Sequence, residues 1–556
     1  MSDLMSYVHG ASDIPFISDT IGAHLDSIAR RFPERDAVVS CQQRVRLSYT
    51  ALRHACEEFA RGLVALGVEH GDRVGIWSTN NVEWIIAQFA TAKIGAILVN
   101  INPAYRTSEV SYALQQSGVS VLLTQVRHKT SDYAGMLAEV RGALGALRQI
   151  VFIGDETADA RLEAIRWDDV RSRASDVTPD TLASRQLRTQ PDDAINIQYT
   201  SGTTGFPKGA TLSHHSLLNN AFFIGEGCGY SELDRVCVPV PFYHCFGMVL
   251  GTLACMTHGS AVVIPAPTFD PTLTLEAFVR ERCTSLYGVP TMFIAELSLP
   301  NFKDYDLSSL RTGIMAGSPC PVEVMKRVQS EMHMPEVTIA YGMTETSPVS
   351  FQTGKHDSIE KRTTTVGRVH PHVECKIIDE QGAIVPRGTP GELCTRGYLV
   401  MLGYWNDPEN TAKSIDAARY MHTGDVAIMD DEGYVNISGR IKDMVIRGGE
   451  NIYPREIEEF LYTHPAVKDV SVVGVPDERY GEELCAWIVT HPGATIDLAS
   501  VQEFCKGKIA HYKIPRYIKV VETFPMTVTG KVQKFKMREA SIAELGLEAA
   551  AKIVTA

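Results

Sequence analysis

The chain lacks any C-x-x-C pair. Its twelve cysteines are scattered, which argues against a zinc site or a compact disulfide framework and implies a reducing compartment. It also lacks a cationic excess. Lys and Arg total 53 against 66 Asp and Glu, a net charge of −13. Nonspecific nucleic-acid binding, which needs a basic surface, is therefore not expected, and an anionic ligand must be met by local basic pockets. The first ten residues carry neither a basic segment nor an apolar one. They are poor in Arg and include Asp3, so neither a signal peptide nor an organelle transit peptide is expected. No apolar run is long enough to span a bilayer. The best candidate, Trp84 to Val99, is interrupted by Gln88, Lys93 and Gly95 and reads as a buried helix followed by a strand. A soluble cytoplasmic protein without repeats or low-complexity segments is the expectation.

What is present is ample core. The 556 residues are 44% apolar, enough for about four domain-sized units. Helix and strand patterns alternate through most of the first 430 residues. Ala51–Leu66 has helical spacing, Arg73–Ile76 reads as a strand, Val82–Lys93 as a helix and Ile97–Val99 as a strand. Ser108–Gln116 reads as a helix capped by Thr107, and Val119–Leu123 as a strand. Such alternation predicts an α/β fold with helix-flanked parallel sheets. After about Val366, short strands between Gly, Pro and Asp turns (Glu374–Ile378, Gly391–Arg396, Tyr434–Ile437) predict a β-rich subdomain. A separate small α+β unit follows. It has Pro454 in a first helical turn, strands at Val470–Val475, Cys485–Val489 and Tyr517–Val521, a helix at Val501–Ile509 and a helical tail from Ala540. The boundary is set at Arg440, giving a domain of residues 1–439 and a lid of residues 440–556.

The densest chemistry lies in Tyr199-Thr-Ser-Gly-Thr-Thr-Gly-Phe-Pro-Lys-Gly209. Glycines let backbone N–H groups approach an anion, and hydroxyls with Lys208 add donors and charge. A polyphosphate is the natural guest. The Walker P-loop pattern is absent: Gly205 follows Gly202 by only three residues, and Lys208 is followed by Gly209 instead of Ser or Thr.

Four further clusters occur in order: Tyr341-Gly-Met-Thr-Glu345, His422-Thr-Gly-Asp425, Arg447-Gly-Gly-Glu-Asn-Ile452 and Thr527-Val-Thr-Gly-Lys531. Each alone has a bland reading as a cap, a hairpin turn or a surface lysine. Together, from about Thr20 to Arg538, they resemble the acyl-activating, adenylate-forming (AMP-binding) superfamily. That superfamily includes acyl-CoA synthetases, firefly luciferase and nonribosomal adenylation domains. The runs Pro390–Tyr398, Arg447–Glu459 and Cys505–Pro515 look most like the medium-chain acyl-CoA synthetase branch that includes mitochondrial acyl-CoA synthetase family member two.

The resemblance implies roles. Thr200, Ser201, Gly202, Thr203, Thr204, Gly205 and Lys208 would hold the β- and γ-phosphates of ATP. Tyr341 would stack on adenine, with Gly317 and Ser318 lining the base site. Thr344 would touch the α-phosphate and Glu345 would hold Mg²⁺. Asp425 would accept the ribose hydroxyls, with Arg440 beside them. Lys442 matches the hinge, and Lys531 matches the lysine that bridges substrate carboxylate and α-phosphate. Arg447, Gly448, Gly449 and Glu450 would line the CoA tunnel once the lid rotates.

The chemistry suits these residue types. A carboxylate attacking the α-phosphorus brings two anions together, so cations and N–H donors lower the barrier. The carboxylate is already ionised, so no general base is needed. The acyl pocket would be built from Pro241–Gly247 and Gly288–Phe293, with Phe246, Val289, Met292, Ala316, Gly342 and Met343 as lining. His244 either faces the acyl group or is a core histidine bonded to a backbone carbonyl. Pro241–Gly247 holds no acid to meet an ammonium group, which speaks against an amino-acid substrate. The implied activity is an AMP-forming acid–CoA ligase for a fatty acid of medium length, with ATP and CoA as co-substrates. An aromatic, branched or terpenoid acid, and a catalytically inactive nucleotide-binding protein, are the alternatives. Homo-oligomerisation is left open.

Overall fold

The computed structural model describes residues 4–154, 162–200, 207–318, 320–448, 450–527, 531–548 and 550–552. The α/β architecture is as expected: a large N-terminal body whose described residues form three large sheets and one two-stranded sheet, and a small C-terminal α+β unit.

The first large sheet has eight strands. Five run parallel in the spatial order Gln149–Ile153, Val121–Gln125, Arg73–Trp77, Ile97–Asn100 and Ala194–Thr200, with Ile165–Arg166 at one edge. Lys208–Ser213 and Gly403–Tyr404 extend the other edge in antiparallel fashion. Behind it lies the helix Val82–Ile94, followed by the strand Ile97–Asn100, as expected for Trp84–Val99. Asn81 caps the helix by accepting from the Trp84 N–H at 2.7 Å, and Gly95 ends it at φ 70°. Every residue of this helix except Glu83 is buried. Its Lys93 is tolerated inside because Asp26 pairs with the ammonium at 2.5 Å. Among the described residues no helix is long and apolar enough to cross a membrane.

The second large sheet has nine strands. Its centre is parallel and carries Thr312–Ala316 beside Glu336–Gly342. The third, five-stranded sheet is antiparallel and spans Val373–Ile378, Gly391–Gly397, Met421–Met429 and Val435–Arg440. Tyr7–His9 pairs with Val373–Ile378, and Asp36–Ser40 with Val45–Ser48 joins the nine-stranded sheet. Local periodicity gave no hint of either long-range pairing.

Three local expectations are corrected. Thr107 is the first residue of its helix instead of the cap. Arg106 occupies that position, and its backbone N–H donates to Glu109 at 2.8 Å. The Val501–Ile509 helix is shifted to Leu498–Cys505, because Asp497 caps it through the Ser500 N–H at 2.8 Å. The C-terminal helix is Lys534–Leu545, starting before Ala540 and ending where Gly546 turns left-handed at φ 68°.

Candidate active site

Ligands of open α/β sheets gather at the carboxyl ends of the strands, and the sequence motifs converge there. Ala194–Thr200 and Lys208–Ser213 pair in antiparallel fashion with Thr200 opposite Lys208, which brings the two ends of the glycine-rich stretch together. Ser201, Gly202, Thr203, Thr204 and Gly205 lie outside the described residues. Gly317 and Ser318 follow the end of Thr312–Ala316. Thr344 and Glu345 follow the end of Glu336–Gly342 in a short 3-10 turn. Gly342 is obligatory there, because a Cβ would lie 1.8 Å from the Pro348 carbonyl oxygen.

Asp425 and Arg440 are directly opposed on neighbouring antiparallel strands. Arg440 Nε lies 3.1 Å from Asp425 Oδ1, and the Tyr341 hydroxyl donates to Asp425 Oδ2 at 2.6 Å. Burial first, then the Asp425 charge, push the Tyr341 phenol well above its ordinary pKa, so it stays a donor. Glu392 holds the turn before Asp425. One carboxylate oxygen accepts from the Gly424 N–H at 3.1 Å and the other meets His422 Nδ1 at 2.9 Å.

Glu345 is buried at 6% exposure. Its Oε1 accepts from Tyr404 Oη at 2.8 Å and from Thr200 Oγ1 at 3.2 Å. Both donors fall on one oxygen, and among the described residues no hydrogen bond occupies Oε2. A carboxylate anchored by one oxygen with the other left over suits a hard cation that takes one or two carboxylates and keeps waters, as Mg²⁺ does. Lys208 Nζ sits 4.7 Å from the centroid of the Tyr404 ring.

Lys531 reaches the same cleft from the C-terminal unit. Its N–H donates to Thr527 Oγ1 at 3.0 Å, and its carbonyl accepts from the Thr527 N–H at 2.7 Å, closing a tight turn. The ammonium feels Cys245, Arg440, Glu345 and Asp425, and burial is the main cause that lowers its pKa below the ordinary lysine value. His244 faces Lys531. Burial, with a smaller contribution from the lysine charge, lowers the His244 pKa to about 3, so the ring is neutral. The Phe246 N–H donates to Nδ1 at 3.1 Å, which leaves the ring proton on Nε2. His244 thus caps a turn through one nitrogen and keeps a neutral N–H donor on the other. Cys245 Sγ lies 3.8 Å from Thr344 Oγ1.

Phe246–Leu253 is a fully buried π-helix, a rare form that occurs frequently at functional sites. Phe246 starts it and stacks on Tyr287 at 5.7 Å. Val289, Met292 and Ala316 are buried as well. Gly317 stands behind this wall at φ 89°, where a Cβ would come 3.1 Å from Val289 and 4.0 Å from Phe246. Gly342 is exposed and contributes backbone, not apolar lining.

The hinge candidate Lys442 sits in the short turn Ile441–Asp443, directly after the last strand of the β-rich sheet. Arg447 pairs with Glu450 across a two-residue hairpin turn. Gly448 is left-handed at φ 60°, Glu450 is exposed, and Gly449 lies outside the described residues. The Arg447 side chain is engaged within its own unit. Its guanidinium turns inward to the fully buried Glu483 at 2.8 Å and donates to the Tyr512 carbonyl at 2.9 Å. Arg447 thus braces this hairpin against the rest of the unit.

Motif reading missed Tyr404, Cys245 and Glu392. Tyr404 follows a strand glycine in Gly403-Tyr-Trp405, which looks like an ordinary apolar edge. Glu392 looks like a surface carboxylate, because the turn it holds lies 32 residues further along the chain, on the paired strand.

The chain is similar to known proteins over nearly its full length. The AMP-binding enzyme family matches residues 25–405, and the AMP-binding enzyme C-terminal domain matches residues 456–531. The Bacillus subtilis protein YngI is 49% identical, over 95% of this chain and 98% of its own. The medium-chain acyl-CoA ligase ACSF2, mitochondrial, of Danio rerio is 44% identical, over 98% of this chain and 91% of its own. Among solved structures, the anthranilate CoA ligase AuaEII in complex with anthranoyl-AMP superposes with a TM-score of 0.86 at 26% identity, over 96% and 99% of the two chains. The chain belongs to the AMP-binding enzyme family and is one of its acyl-CoA synthetases, ligases that use ATP and CoA as co-substrates.

Proposed function

We infer that the acid is a medium-chain fatty acid, activated to acyl-AMP with release of pyrophosphate and then passed to the thiol of CoA. The observation that carries this reading is the buried apolar wall of Phe246, Val289, Met292 and Ala316 beside His244 and Lys531. No acidic side chain in Pro241–Gly247 could meet an ammonium group. The ACSF2 relatives, named as medium-chain ligases, support the same choice.

In the first step the fatty carboxylate attacks the α-phosphorus. Lys531 lies between the two anions and offsets the charge that builds there. Thr344 donates to the α-phosphate, and the neutral His244 Nε2–H orients the acyl carboxylate. Lys208 and the phosphate loop hold the departing pyrophosphate. Asp425 with Arg440 holds the ribose, Tyr341 packs against adenine, and Gly317 and Ser318 leave room for the base. Glu345 would ligate Mg²⁺ through Oε2, and the ion would neutralise phosphate charge. In the second step the lid turns about Lys442, Lys531 withdraws, and the hairpin at Gly448–Glu450 faces CoA. The boundary at Arg440 follows from this hinge.

Two outcomes are expected. Each methylene buried in an apolar pocket contributes about 0.8 kcal/mol, or roughly fourfold in kcat/KM, until the pocket is full. A kcat/KM series over straight-chain acids with CoA should therefore climb and then fall at medium length. A maximum on aryl or branched acids would overturn the choice of acid.

The second outcome concerns pH. Adenylation requires the ammonium form of Lys531, which is lost as pH rises through its lowered pKa. Pyrophosphate release should therefore fall along an alkaline limb below the ordinary lysine value of about 10.4. In Lys531→Arg, whose charge persists, whatever rate remains should lose that limb. A limb that stays in place assigns the titration to another group.

A further inference from the structure

We propose that Tyr404 is a positioning residue for adenylation, joining the phosphate-loop lysine and the Glu345 carboxylate into one preorganised unit. The proposal rests on the roles given above to Lys208 and Glu345.

Tyr404 is held from two directions. Its strand is antiparallel to the one that leaves the phosphate loop, with Tyr404 opposite Ala210. The Trp405 N–H donates to the Gly209 carbonyl at 2.7 Å, and the Tyr404 N–H donates to Thr411 Oγ1 at 2.9 Å. The side chain is 7% exposed, so its aim is set by packing.

That aim serves two charged groups at once. The hydroxyl donates to Glu345 Oε1 at 2.8 Å, and the ring face lies 4.7 Å from Lys208 Nζ. Between a phenol and a carboxylate the phenol supplies the proton, so Tyr404 donates and Glu345 accepts. An aromatic face attracts an ammonium through its quadrupole. Thr200, at the start of the phosphate loop, donates to the same Oε1. The two donors fix which oxygen of Glu345 is left for a cation, and the ring sets where Lys208 waits. Both are arranged before ATP arrives, which is how fixed charges become effective in catalysis.

Two substitutions separate the two contacts. Tyr404→Phe keeps the ring and removes the hydroxyl, whereas Tyr404→Leu removes both. The measurements are the rise in Tm caused by ATP with and without Mg²⁺, pyrophosphate release, and thioester formation from supplied acyl-AMP. For Tyr404→Phe we expect pyrophosphate release to fall about tenfold, as for a hydrogen bond to a charged group. The Tm rise should shrink only when Mg²⁺ is present, and conversion of supplied acyl-AMP should be unchanged. Tyr404→Leu should also lose part of the Tm rise caused by Mg²⁺-free ATP. Wild-type values throughout for Tyr404→Phe would overturn the proposal. So would an equal fall in both half-reactions together with Tm, because that is what a purely structural tyrosine would give. Lys208→Ala and Glu345→Gln serve as controls. A full ATP response in both would overturn the assignment of those two residues, and the proposal with it.

Discussion

Lys531→Ala should reduce pyrophosphate release by about 10²–10³-fold, the usual cost of removing one group aimed at transition-state charge, and leave thioester formation from supplied acyl-AMP near the wild-type rate. The geometry sets this asymmetry. Lys531 enters the N-terminal cleft from the last turn of the small unit and feels Cys245, Glu345 and Asp425 there. Only the lid pose that brings it in can use it. In the second step proposed above, the lid would present the hairpin at Gly448 instead, which pairs with the sheet of the same unit. A lysine that mainly held the lid in shape would lower both half-reactions together and lower Tm. Comparing the two half-reactions in one variant therefore separates a charge role from a structural one. Acetylation of Lys531, which removes the charge and keeps the chain, should reproduce the alanine result.

Legibility in the sequence follows how local each feature is. The phosphate-loop hairpin, the turn at Thr344–Glu345 and the turn before Asp425 were readable because a glycine and a functional side chain fall within a few residues of one another. The buried helix Val82–Ile94 was readable because its composition is apolar on every side. Pairings such as Tyr7–His9 with Val373–Ile378 were not, since a three-residue strand has no periodicity of its own and gains its partner from the rest of the sheet. Side-chain direction was equally hidden. Arg447 beside a glycine turn reads as a ligand contact, yet a buried Glu483 elsewhere in the unit claims the guanidinium. Tyr404 is the converse case. Its neighbours in sequence carry no chemistry, and its partners Glu345 and Lys208 come from distant segments.

Asp425→Ala should rank next in effect, with a loss of about 10²–10³-fold in kcat/KM for ATP. Two interactions end together. The ribose loses a charged acceptor, and hydrogen bonds to charged groups are worth about 1.5–3 kcal/mol each. The Tyr341 hydroxyl and the Arg440 guanidinium, which now share the two oxygens of Asp425, lose their anchor. Arg440 is half exposed and can turn to water, so its loss is small. The Tyr341 hydroxyl loses the partner it holds at 2.6 Å, and an unpartnered buried donor costs about 1–3 kcal/mol. Adding Tyr341→Phe to Asp425→Ala should therefore restore part of the lost Tm without restoring ATP affinity. Asp425→Asn, which keeps the shape and one acceptor oxygen, should fall between wild type and Asp425→Ala in kcat/KM. If the double variant regains neither Tm nor affinity, the Tyr341–Asp425 bond contributes nothing to stability and the loss in Asp425→Ala belongs to the ribose contact alone. If Asp425→Ala binds ATP normally, the ribose assignment fails, and the Tyr341–Asp425 bond is only a brace between the end of Glu336–Gly342 and the β-rich sheet.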